Sequence, residues 1–169
     1  MLLIKSKFKI AKRLGAAIFE KTQSQKFALS EARSSANKKN SRGGRGGSDY
    51  GRQLLEKQRV RFTYGISEGQ LSNYAEAAYT QADPSGALHK ALEMRADSAA
   101  YRAGLLPTRR AARQAVSHGH ITINGKRTTV PSYRVKKGDV LGVREGSRTS
   151  PLFAGLLENF MNNSGIKRD

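Results

Sequence analysis

The stretch that most limits what this chain can fold into is one that cannot contribute to a core. Residues 30 to 47, SEARSSANKKNSRGGRGG, hold no bulky apolar side chain, so no buried face can be drawn through them at any helical or extended period. They are expected to form a basic arm or loop, open in isolation, that sets a short N-terminal segment apart from the rest of the chain. A solvated linker would look the same, but the glycines allow close backbone approach to phosphates and the arginines supply forked donors.

Charge narrows the partner. The chain of 169 residues carries 31 Lys and Arg against 13 Asp and Glu, a net charge of +18. An excess of that size repels itself unless a polyanion neutralises it, which points to nucleic acid. The excess is uneven: residues 1 to 66 and 93 to 148 are strongly basic, residues 67 to 92 are slightly acidic, and the segment from 149 is neutral. There is no cysteine, so disulfides and thiolate zinc sites are excluded, and a reducing compartment fits. The opening MLLIKSKFKI is too short an apolar run for a signal peptide, and no run is long enough to span a bilayer. A basic membrane-surface helix would need a bulky apolar face that the sequence does not offer. The expectation is a cytoplasmic protein of one domain or two small ones, with no membrane partner and no cofactor.

Helical signals come after the arm. Ser48 is placed to cap a helix over 49 to 65, with Tyr50, Leu54, Leu55 and Phe62 available to a core, Arg52, Lys57, Arg59 and Arg61 around the rest, and Gly65 as its stop. Ser67 and Gln70 form a capping-box pattern before Leu71, Tyr74, Ala75 and Ala78, which recur on one helical face. Asp83-Pro84-Ser85-Gly86 turns the chain into a further helix, expected over about residues 87 to 102 and broken near Gly104 and Pro107.

The stretch RRAARQAVSHGHITINGKR, residues 109 to 127, has a different character. Thr108 is placed to cap a helix from Arg109, Ala112, Ala115 and Val116 make a narrow apolar stripe, and Gly119 sits where a left-handed residue ends a helix. Arg109 and Arg113 lie one turn apart with Arg110 adjoining, a like-charge cluster that costs helix stability unless an anion compensates it. A solvated basic face is the competing reading. Ile121 and Ile123 alternate with Thr122, Asn124-Gly125 is a strong hairpin signal, and Lys126 and Arg127 open the return strand. Pro131-Ser132-Tyr133 bends the chain, Lys137-Gly138-Asp139 turns it again, and VLGVR reads as a last strand.

His118 and His120 invite a catalytic or metal reading. Neither cysteine nor a neighbouring carboxylate completes a ligand set, and Ser117 beside His118 lacks a nucleophile elbow or an orienting acid. The expectation is therefore no catalytic residue and no metal; the histidines sit at a helix-to-strand junction, packing or touching RNA.

Several motifs occur in one order: SDYGRQLLEKQRVRFTYGISEGQ, LEMRADSAAYRAG, PTRRAARQAVSHGHITINGKR and VPSYRVKKGDVLGVRE. Together, over residues 3 to 150, they resemble the bacterial ribosomal protein S-four family, and residues 93 to 145 resemble the RNA-binding module named after it. The implied fold class is α+β: a helical first lobe with a basic N-terminal arm, plus a small helix-helix-β-hairpin RNA-binding module. The expected division is 1–47 for the basic N-terminal segment and arm, 48–92 for the helical lobe, 93–148 for the module and 149–169 for a short tail.

The resemblance implies a structural constituent of the small ribosomal subunit. It would bind 16S rRNA at a junction of the 5′ domain, nucleate assembly of the 30S body, contact ribosomal proteins S-five and S-three, meet mRNA where it enters the subunit, and influence accuracy. RNA contacts carry over to Arg109, Arg110, Arg113, Gln114, His118, Asn124, Lys126, Arg127, Ser132 and Tyr133 in the module. In the basic helix Ser48, Tyr50, Lys57, Gln58, Arg59, Arg61 and Tyr64 match the family, with Lys57, Arg59 and Arg61 as RNA contacts and Arg42 and Arg45 among the glycines as further ones. Members often bear zinc-binding cysteines near the start and a Trp-containing segment near the end; with no Cys or Trp here, neither feature carries over. The competing classes are an RNA-modifying enzyme that carries the module as an accessory and a stand-alone RNA chaperone.

Overall fold

The computed structural model describes residues 6–39 and 48–153, with backbone only over 35–39; Arg42, Arg45 and most of the expected tail lie outside the described residues. The chain divides into two compact units, one up to Leu71 and one from Ser72.

In the first unit, α1 (Lys7–Leu14) ends at Gly15 in the left-handed conformation, φ 61°. After a single 3-10 turn (Glu20–Gln23) comes α2, Gln25–Lys39. The open arm expected from residue 30 is therefore corrected over 30–39, which are helical. Ala, Glu, Arg and Lys favour a helix without needing a buried stripe, and α2 is fastened by few groups. Phe27 packs at 2% exposure beside Phe8, ring centroids 5.4 Å apart, and the Lys12 ammonium donates to Ser30 O (3.0 Å) and to the hydroxyls of Ser30 (2.6 Å) and Ser34 (2.9 Å).

Helix α3 (Asp49–Tyr64) has the expected ends: the Gly51 N–H donates to Ser48 Oγ (3.2 Å), and Gly65 is left-handed at φ 62°. It has no fully buried side chain. Phe62 meets Phe19 edge-on at 6.5 Å, whereas Tyr50, expected in the core, is 74% exposed because it lies in the first turn, facing solvent. Helix α4 (Glu68–Tyr79) opens on the expected capping box, in which Ser67 N–H donates to Gln70 Oε1 (3.2 Å) and Gln70 N–H to Ser67 Oγ (3.3 Å).

The larger cluster of buried apolar residues lies in the second unit. Helix α5 (Pro84–Glu93) is capped by Asp83, whose carboxylate accepts from Gly86 N–H at 3.1 Å. The single helix expected over 87 to 102 is two helices, α5 and α6 (Ala96–Arg102), because Arg95 is extended between them. Around that break, Ala96 N–H donates to Tyr133 O and Val135 N–H to Met94 O, both at 2.8 Å, so the 133–135 segment pairs with the chain where the helix stops. No Gly or Pro marks the position; the break is a tertiary choice.

Helix α7 (Arg109–Ser117) packs on α6 through small side chains. Ala96, Ala100, Ala112, Ala115 and Val116 are at most 2% exposed, and alanine lets two helices approach closely. Strand β1 (Ile121–Ile123) is central in an antiparallel sheet of order β2-β1-β3, flanked by β2 (Lys126–Arg127) and β3 (Leu141–Val143). Ile121 and Ile123 point into the helical core at 0% and 4% exposure. Among the described residues no helix is long and apolar enough to cross a membrane.

Candidate nucleic-acid interface

The arginines of α7 do not act alike. The Ala111 N–H donates to Thr108 Oγ1 at 3.0 Å, which fixes the start of the helix and hence the direction of each arginine. Arg109 turns inward: its guanidinium lies 4.9 Å from the Tyr101 ring centroid and donates to Glu93 Oε1 at 2.8 Å. Arg113 is also half-buried, with Nε 3.9 Å from Asp97 Oδ2; burial pushes its pKa down while the Asp97 charge opposes that. The anions expected to relieve the Arg109–Arg113 repulsion thus include carboxylates of the protein itself. Arg110 and Gln114, by contrast, are exposed, and Arg110 makes no ion pair among the described residues.

Beneath α7 lies a network that sequence reasoning missed. Arg95, 1% exposed, donates from Nε to Asp97 Oδ1 (3.0 Å), from Nη2 to Asp97 Oδ2 (2.8 Å) and from Nη1 to the Tyr74 hydroxyl (2.9 Å). Burial alone would lower the Arg95 pKa, but the hydrogen bonds and charge of Asp97 more than reverse it. Asp97 also accepts from Ser98 N–H at 2.9 Å. The spacing R-x-D in MRADS was the available signal.

At the hinge, Gly119 is left-handed at φ 74°, and a Cβ there would lie 2.1 Å from Arg127 Nε. The missing side chain lets Arg127 reach back across the helix end, where its Nη2 donates to His118 O at 3.3 Å. His118 is exposed; His120 is half-buried, its Nδ1 2.9 Å from Ser147 Oγ and its ring edge-on to Phe153 at 6.2 Å. His120 thus takes the packing role, while His118 remains at the surface.

The sheet brings its cations to one end. Lys126 on β2 is exposed, as are Lys136 and Lys137 in the turn before β3. Ser132, Tyr133 and Arg134 are exposed beside the break at Arg95, Tyr133 at 45%. Asn124 spends its side chain on neighbouring backbone and on Asp139.

In the first unit Lys57 and Arg61 share one carboxylate: Lys57 Nζ is 2.6 Å from Glu68 Oε1 and Arg61 Nη1 3.0 Å from Oε2. The hydrogen bond from Lys57, and then Arg61, hold the Glu68 carboxyl below its ordinary pKa. Arg59 donates from Nε to Leu14 O at 2.8 Å, capping α1, and pairs with Glu56. Gln58 and Tyr64 are half-buried; Ser48 is exposed and occupied as the cap.

An arginine helix fastened to a helical core, with an antiparallel sheet that presents lysines at its hairpin end, defines a basic α+β protein with a nucleic-acid-binding module. Family models agree, matching "Ribosomal protein S4/S9 N-terminal domain" over residues 3–94 and "S4 domain" over residues 94–141. Relatives include the small ribosomal subunit protein uS4 of Christiangramia forsetii, 42% identical across 95% of this chain and 77% of the relative. That of Parabacteroides distasonis is 41% identical across 90% and 74%, and that of Acetivibrio thermocellus 52% identical across 62% and 50%. The chain belongs to the ribosomal protein uS4 family, whose members are structural ribosomal proteins rather than enzymes.

Proposed function

We propose that this chain is a stoichiometric RNA binder of the cytoplasmic small ribosomal subunit, a primary 16S rRNA-binding protein that docks at a junction in the 5′ domain. From there it nucleates assembly of the 30S body. With ribosomal proteins S-five and S-three it lines the path by which mRNA enters, and so influences accuracy. No bond is made or broken: cations displace counterions condensed on phosphate, and the rigid shape of the module selects the junction. Family membership supports a structural, RNA-binding role in the small subunit, and one observation supports which surface takes part. Arg110, Lys126, Lys136 and Lys137 are exposed and in no ion pair among the described residues, whereas Arg109, Arg113, Lys57 and Arg61 are engaged with carboxylates. The outward set is the part free to meet phosphate.

Hydroxyl-radical footprinting of the chain on small-subunit, large-subunit and transfer RNA tests this. Protection confined to one junction of the 5′ domain is expected; protection of transfer RNA would favour an RNA-modifying role, and protection of large-subunit RNA a chaperone. Arg110→Ala with Lys126→Ala should erase the footprint without unfolding the chain. That pair separates binding from folding better than Arg113→Ala, because Arg113 lies against Asp97.

A further inference from the structure

Asn124 carries the family expectation of an RNA contact, and its exposed side chain also makes hydrogen bonds within the protein. Asn124 and Gly125 are left-handed at φ 52° and 76°, closing the hairpin in a tight turn. The Asn124 N–H donates to Val140 O, and Asn124 Oδ1 accepts from Val140 N–H, both at 2.8 Å. The Asn124 amide also donates to Asp139 Oδ1 at 2.9 Å. Asp139 Oδ2 in turn accepts from Lys136 N–H at 2.8 Å, and Asp139 N–H donates to Lys136 O at 3.1 Å.

These bonds join two turns. The register Ile123↔Leu141 puts the Asn124-Gly125 turn and the 136–139 turn at the same end of the sheet, and the left-handed Gly138, φ 97°, lets the second one close. Lys126 follows the first turn and Lys136 and Lys137 occupy the second; all three are exposed and in no ion pair among the described residues. Between residues 124 and 141 the one acidic residue is Asp139, and its carboxylate is taken up by Asn124 and by backbone. The N–H of Lys136, then Asn124, hold its pKa below the ordinary value, as expected of a carboxylate bound in its charged form.

We propose that this corner is a phosphate-binding site for the RNA backbone, in which Lys136 and Lys137 act together with Lys126, and that Asp139, through Asn124, is the residue that positions them. The inference rests on the RNA-binding reading of the module and extends it to residues outside the expected contact set. Its sign is distinctive. On charge alone, removing a carboxylate from a cationic surface strengthens RNA binding; removing a clamp weakens it.

The test measures affinity of the full chain for a 5′-domain transcript over a range of salt, with thermal unfolding in parallel. Asp139→Ala should weaken binding by about fivefold, although it raises the net charge, which is in the range of coupled neighbours. Lys136→Ala with Lys137→Ala should weaken binding and lower the salt slope by about two, one for each phosphate no longer engaged. With both lysines gone, Asp139→Ala should have little further effect, because its role acts through them. Asn124→Gly keeps the left-handed turn while removing the clamp, so it carries the same test if Asp139→Ala melts early. Equal or tighter binding by either clamp variant, or an Asp139→Ala loss that persists in full without the lysines, overturns the inference while leaving the RNA reading intact. Failure of the unmodified chain to bind the transcript overturns both.

Discussion

Removing the Asp97 carboxylate should unfold the second unit more readily than any surface change, and the structure sets the scale. Arg95 is 1% exposed, and its guanidinium donates two hydrogen bonds to Asp97 and one to Tyr74. In Asp97→Ala the guanidinium keeps only the tyrosine hydroxyl and remains inside, an uncompensated buried cation. Breaking a buried pair from one side costs about 3–5 kcal/mol, against a total stability of about 5–15 kcal/mol for an ordinary domain. Two further losses accompany it: the Ser98 N–H gives up its acceptor, and the carboxylate 3.9 Å from Arg113 disappears. Urea unfolding followed by circular dichroism gives the magnitude. Hydrogen exchange at the Ala96 and Ala115 amides assigns it to the unit from Ser72 onward. Replacing both partners, Arg95→Met with Asp97→Leu, should recover most of the loss, because the desolvated charge leaves with its partner. A cost below about 1 kcal/mol for Asp97→Ala would mean that Arg95 readily reaches water, and the buried network would contribute little to the stability of the second unit.

Thr108→Ala should cost about 1 kcal/mol by urea unfolding, since the hydroxyl satisfies the Ala111 N–H. Gly119→Ala should cost about 1–2 kcal/mol for the left-handed conformation and also displace Arg127 from His118 O, visible as faster exchange in the last turn of α7. For Glu68, whose folded pKa is depressed, the contribution to stability is complete above the unfolded value and is lost as pH falls through the folded one. Melting of the first unit should therefore decline on acidification, and Glu68→Gln should remove part of that decline.

Much of the second unit is legible in the sequence because its signals are local. Thr108, Gly119 and Asn124-Gly125 each do what their residue types dictate, and Ile121 and Ile123 point inward by the period of a strand. The break at Arg95 is not legible, because it arises from pairing with residues 133 to 135, some forty positions away in sequence. Helix α2 escapes a sequence reading for a different reason: it lacks an apolar stripe along its length, yet Lys12 and Phe27 suffice to fasten helix-favouring residues. In the candidate interface, residue type picks out the cations but cannot sort them. Arg109 and Arg113 look identical to Arg110 in sequence, and only the positions of Glu93 and Asp97 show which arginines turn inward. The KKGD turn has the sequence of a simple connector; the hydrogen bonds of Asp139 make it part of the hairpin end.

On the reading proposed above, a few outward cations, rather than any reactive group, hold the RNA, and the slope of log affinity against log salt for the full chain on a 5′-domain transcript tests this. Four engaged phosphates correspond to a slope of about −3 to −4, and Arg110→Ala with Lys126→Ala should make it shallower by about two. A salt-independent affinity, or a slope unchanged in that double variant, would contradict it.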